Sequence, residues 1–71
     1  LEVEVRGRIA TWYVERGYGF ISPANGGDDI FAHAGRIDRR EVDRLARGVT
    51  VDYDVITGGD GRKRAINVYI V

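Results

Sequence analysis

Side chains alternate with period two along most of this chain, and that confines it to strands. Val3, Val5, Gly7, Ile9, Thr11 and Tyr13 take one parity, and Glu2, Glu4, Arg6, Arg8, Ala10 and Trp12 take the other. Successive side chains of a strand point to opposite faces, so the pattern predicts a long, half-buried first strand with Gly7 at a bend or bulge. Tyr18-Gly19-Phe20-Ile21-Ser22 reads as a second strand, closed by Pro23, and Asn25-Gly26-Gly27-Asp28 supplies the turn. Ile30-Phe31-Ala32-His33 is a short third strand. Val49, Val51, Tyr53 and Val55 alternate with Thr50, Asp52 and Asp54 in a fourth. Thr57-Gly58-Gly59-Asp60-Gly61 is a hairpin tip, and Ala65 to Val71 a fifth strand with Ile66, Val68 and Ile70 on one face.

Only the middle segment changes period. Asp38-Arg39-Arg40-Glu41 has capping-box spacing, with Asp38 as N-cap and Glu41 reaching back. Ile37, Val42, Leu45 and Ala46 can share one apolar face, and Gly48 can end the turn left-handed. The spacing predicts a helix of about two turns near residues 39–47. Five short strands with a helical element between the third and fourth point to an all-β, antiparallel, five-stranded barrel, because closure hides the edges of so small a sheet.

With 71 residues there is room for one domain, spanning 1–71, and only about 60% of the unfolded surface can be buried. Cysteine is absent, which excludes a disulfide framework and a thiolate zinc site, and one histidine excludes a multi-histidine centre. No apolar run within this segment reaches a membrane span and no signal peptide opens it, so the expected compartment is the cytoplasm. The chain opens without methionine and stops in apolar Val68-Tyr69-Ile70-Val71, which leaves room for a longer parent protein.

On the second strand Tyr18 and Phe20 share the face opposite Ile21, and on the third Phe31 and His33 share the face opposite Ile30 and Ala32. If the two strands pair, these four rings stand together on the outer face, and Trp12 shares parity with Arg8 and Arg6 on the first strand. Gly17 and Gly19 flank Tyr18 without side chains, so a flat ligand could approach closely. Such a platform suits unpaired bases, each of which offers a π-face worth about 1–3 kcal/mol in stacking. Arg8, Arg16 and the tip Arg62-Lys63-Arg64 can follow the phosphates; the tip can equally be a solvated turn. Eleven basic residues cancel eleven acidic ones, so any attraction to phosphate must come from placement. Ten of the basic residues are arginine, which forks onto phosphate and stacks on rings.

Arg16-Gly17-Tyr18-Gly19-Phe20-Ile21 resembles the first ribonucleoprotein motif of the bacterial cold-shock domain, usually K-G-F-G-F-I, and Asp29-Ile30-Phe31-Ala32-His33 its second, usually D-V-F-V-H. Leu45-Ala46-Arg47-Gly48 is similar to the family's L-x-x-G entry to its fourth strand, and Gly61 to Val68 to its last hairpin. The resemblance covers residues 6–70. It implies an oligonucleotide-binding (OB-fold) barrel that binds single-stranded RNA and DNA, of a family whose members act as RNA chaperones and transcription antiterminators. Several positions depart from the family. Its first strand reads K-W-F-N; here Ala10 stands on the lysine, Thr11 on the tryptophan and Trp12 on the phenylalanine. Ala34 and Val42 replace two further aromatics. Binding weaker or shorter than the family's is therefore expected, with Arg36, Arg39 and Arg40 in a position to compensate.

The expected function is single-strand binding with low sequence preference and no catalysis. Bases would stack on Trp12, Tyr18, Phe20, Phe31 and His33, and Arg8, Arg16, Arg62, Lys63 and Arg64 would hold phosphates. His33 lacks the partners of a catalytic base and can instead contact a base or be satisfied locally. Neighbouring Asp28 and Asp29 point apart in a strand and serve the turn, so no metal, cofactor or small-molecule substrate is expected. Two alternatives use the same barrel: a peptide-binding module, or a regulatory domain of a larger protein. Oligomeric state is not written in the sequence.

Overall fold

The computed structural model describes residues 1–71 as a closed barrel. Its strands are β1 (Glu2–Tyr13), β2 (Tyr18–Pro23), β3 (Ile30–His33), β4 (Thr50–Thr57) and β5 (Lys63–Ile70), in the spatial order β1-β2-β3-β5-β4. This is the five-stranded OB-fold barrel expected, antiparallel at every contact except the closing one, where β3 and β5 run parallel.

β1 builds two walls. Gly7 to Tyr13 pair with β2, and Glu2 to Arg8 pair with β4. Gly7 belongs to both ladders, opposite Pro23 on one side and Val51 on the other. A Cβ there would run into the Ser22 carbonyl, Ile21 and the Tyr53 hydroxyl, so the crowding of a tightly curved strand demands glycine. Gly7 is thus the crossing point rather than a bulge. The bulges of β1 fall between Glu2 and Val5 and between Ile9 and Thr11.

A third irregularity separates Asp52 from Asp54 where β4 meets β5. Asp54 holds it and the first β1 bulge together. Its carboxylate accepts the Glu4 backbone N–H at 2.9 Å and the Asn67 side-chain amide at 2.9 Å. Glu4 and Asn67 are the two non-glycine residues with positive φ, at 53° and 52°. The turn at Asn67 resets the alternation of β5. Ala65 and Val68 face inward, three apart, while Ile66 and Ile70 are only half-buried, so the expected single face of Ile66, Val68 and Ile70 does not form.

The core consists of Ile9, Ile21, Ile30, Ala32, Val51, Tyr53, Val55, Ala65 and Val68 from the strands, closed by Ile37 and Leu45 from the β3–β4 connection. That connection contains a 3₁₀ turn (Ala34–Arg36) and one turn of helix, α1 (Arg39–Val42). Asp38 caps α1 by accepting the Arg40 N–H at 2.8 Å. Glu41 does not reach back to the cap but lies 3.5 Å from Arg44. The expected two turns shrink to one because Leu45 must turn down into the core and Gly48, at φ 91°, must bring its N–H to the Ile9 carbonyl at 2.8 Å.

Candidate nucleic-acid interface

Register decides which side chains share the outer face. Opposite pairs run Thr11–Phe20, Phe20–Phe31 and Phe31–Arg64, a row crossing β1, β2, β3 and β5. The next row is Tyr13–Tyr18–His33. Both follow from the alternation of β2 and β3, whose other parity carries Gly19, Ile21, Ile30 and Ala32 into the core.

The structure brings Tyr18, Phe20, Phe31 and His33 together. Ring centroids lie 5.6 Å apart for Tyr18–Phe31, 5.8 Å for Phe20–Phe31, 6.4 Å for Tyr18–Phe20 and 6.4 Å for Phe31–His33. These are edge and tilted contacts of the kind aromatic quadrupoles favour, and they brace each ring against its neighbours. Tyr18, Phe20 and Phe31 are half-buried and His33 is exposed. His33 Nδ1 accepts the Gly35 N–H at 3.0 Å and so caps the 3₁₀ turn. In the neutral ring that bond fixes the tautomer, leaving Nε2–H as a donor toward solvent.

Trp12 is not on this platform. The bulge between Ile9 and Thr11 inserts one residue, so the alternation read straight through from Arg8 inverts there. Trp12 lies opposite Gly19 and packs half-buried against the core. A Cβ on Gly19 would meet the Trp12 ring and the Thr11 carbonyl, so Gly19 makes room for tryptophan rather than for a ligand. The same inversion puts Tyr13 on the outer face, which a straight period-two reading does not connect with the rings of β2. Its ring lies 5.4 Å from Tyr18 and is 45% exposed. A bulge leaves little trace in a sequence, and only the pairing of β1 with β2 shows this one.

The cations divide just as clearly. Arg6, Arg40, Arg44, Lys63 and Arg64 are ion-paired to Asp52, Asp38, Glu41, Glu2 and Asp60. Arg8, Arg16, Arg36, Arg39, Arg47 and Arg62 form no ion pair. Of the phosphate candidates, Arg8 projects beside Ser22 and Thr50, next to the platform along β1 and β2. Arg16 donates to the Tyr18 hydroxyl at 3.4 Å, a bond that raises its already high pKa. Arg64 borders Phe31 directly but also reaches Asp60 at 3.2 Å. Arg62 is exposed at the tip. Lys63 has the opposite parity to Arg64 and meets Glu2 at 3.4 Å, so it stands apart from the rings. Across the connection, Ala34, Ile37, Val42 and Arg39 line a hollow of ≈ 450 Å³. No group of three or more His, Cys, Asp or Glu is clustered to hold a metal ion, and no helix is long and apolar enough to cross a membrane.

Residues 5–71 match the family described as the "cold-shock" DNA-binding domain. The chain is 40% identical over 63 residues to glycine-rich protein 2 of Nicotiana sylvestris, covering 89% of this chain and 29% of that protein. It is 36% identical to cold shock domain-containing protein 4 of Arabidopsis thaliana, covering 89% of this chain and 31% of that protein. Cold shock-like protein CspC of Shigella flexneri is 32% identical over 65 residues, covering 92% of this chain and 93% of its own length. The chain therefore spans under a third of the two plant relatives and nearly all of the bacterial one.

Proposed function

The chain belongs to the cold-shock domain family, a nucleic-acid-binding family, and from that premise we propose that its outer face binds single-stranded RNA or DNA with little sequence preference. The observation that carries this is the contiguous surface of Tyr18, Phe20, Phe31 and His33 across β2 and β3. Successive unpaired bases lie on these rings, which are already braced in place, so little side-chain freedom is lost on binding. His33 Nε2–H donates to a base edge or a phosphate oxygen. Arg8, Arg16, Arg62 and Arg64 take the phosphates; Arg64 does so by giving up an exposed pair with Asp60, a small cost. Trp12 and Lys63 leave the set, Trp12 because it packs inward and Lys63 because it faces away.

The chemistry is binding alone. Holding single strands open in the cytoplasm, as an RNA chaperone or transcription antiterminator does, needs sequence-tolerant stacking, which four adjacent rings can supply. Anisotropy of labelled oligothymidine and oligouridine tests the reading. Phe31→Ala should weaken binding by about 1–3 kcal/mol while thermal unfolding stays cooperative. A folded protein that binds neither strand at low salt would instead point to a peptide-binding barrel.

A further inference from the structure

We infer that Tyr13 forms a separate base-stacking position, displaced along β1 from the site where Thr11 leaves the platform without a ring. This inference rests on the single-strand reading of the same face. Thr11 lies opposite Phe20 on the outer face and can offer no π-surface to a base. Tyr13 stands on that same face two residues further, about 7 Å along the strand, opposite Tyr18. Its ring is tilted 56° to Tyr18 at 5.4 Å, so the two rings do not cover each other, and the exposed Tyr13 side chain borders a hollow of ≈ 240 Å³.

The surroundings of that hollow select a base over a phosphate. Val14 contributes apolar surface, and the Glu15 carboxylate on its border repels an anion. Arg16 also borders it, with its guanidinium over the Tyr13 ring at 6.0 Å from the centroid and one N–H on the Tyr18 hydroxyl. Its remaining N–H groups are placed for the phosphate that links a base on Tyr18 to a base on Tyr13. The nucleic-acid track thus runs from Phe20 and Phe31 over Tyr18 to Tyr13, turning toward the β1–β2 connection.

Oligothymidines of two lengths test this, one of about 4 nucleotides that the Phe20, Phe31 and Tyr18 rings can fill, and one of about 7 that continues to Tyr13. Tyr13→Ala should lower affinity for the longer strand roughly fivefold or more and leave the shorter one unchanged. Tyr13→Phe should bind both as the parent does, because the ring and not the hydroxyl is used. Equal losses on both lengths would make Tyr13 a mere brace for Tyr18 and overturn the inference. So would an unchanged Tyr13→Ala protein whose Phe31→Ala counterpart loses affinity. If the parent binds neither strand, or Phe31→Ala is also silent, the reading of the whole face fails and this position falls with it. Circular dichroism melts of both variants establish that the fold is retained, as expected for a side chain this exposed.

Discussion

At the scale of single residues, the two glycines that flank Tyr18 at the start of β2 are required for different reasons. Gly17 holds φ at 71°, and a Cβ there would meet only Ala34 at 3.8 Å. Gly17→Ala therefore carries a left-handed backbone penalty of about 1–2 kcal/mol and nothing more. Gly19 has no such φ constraint, but its missing side chain is filled by Trp12 and the Thr11 carbonyl. Backbone cannot move aside as a flexible side chain can, so Gly19→Ala should destabilise by about 1–3 kcal/mol or more and push the indole outward. Urea unfolding followed by Trp12 fluorescence separates the two: both variants lower the midpoint, but only Gly19→Ala shifts the native emission to the red. A native spectrum unchanged in Gly19→Ala would remove Trp12 from the inner face. For the platform itself, Phe20→Ala should lose single-strand affinity while keeping Trp12 emission, since the two side chains lie on opposite faces of the barrel wall.

At the scale of elements, bulges and caps set which residues face which way. Asp54 ties the left-handed Glu4 and Asn67 to β4, and those bonds hold its carboxyl below the usual range, the Asn67 amide first and the Glu4 N–H second. Asp38, Asp52 and Asp60 are lowered likewise, by Arg40, Arg6 and the Arg62 N–H respectively. A carboxyl with a depressed folded pKa contributes stability that is complete above its unfolded value of about 3.9 and is lost as pH falls through the folded one. Stability should thus be flat at neutral pH and decline once pH drops below the ordinary carboxylate range. Asp54→Asn should be less stable at neutral pH and show a shallower acid decline, as thermal melts across that range would reveal. Asp38→Ala should cost about 0.5–2 kcal/mol locally, read as faster amide exchange in α1. The strands, their order along the chain and the four rings of β2 and β3 were legible in the sequence, because alternation and the two aromatic motifs are local signals. The sides of Trp12 and Tyr13 were not, since one inserted residue inverts everything beyond it and only the pairing with β2 reveals the insertion. Nor was the helix length, which depends on where Leu45 finds the core.

At the scale of the whole molecule, zero net charge conceals an uneven surface. The ion pairs neutralise Arg6, Arg40, Arg44 and Lys63 locally, whereas Arg8 and Arg16 stand unpaired at the edges of the ring surface and Arg64 borders it. With about 3–5 phosphates within reach of such cations, and roughly −0.7 per phosphate for single strands, the logarithmic salt slope of oligothymidine binding should lie near −2 to −4. Stacking supplies the rest and is nearly indifferent to salt, so measurable binding should persist at moderate ionic strength. Arg16→Ala should make the slope shallower by about one phosphate equivalent, whereas Phe20→Ala should lower affinity at every salt concentration without changing the slope. Lys63→Ala should leave both affinity and slope as they are, because that ammonium faces Glu2 on the far side of the wall. Duplex DNA should bind much less well, since its bases are stacked on one another and cannot spread over Tyr18 and Phe31. A steep slope, an affinity for duplex equal to that for single strands, or a Lys63→Ala variant as impaired as Arg16→Ala would mean that charge rather than the aromatic surface carries the binding.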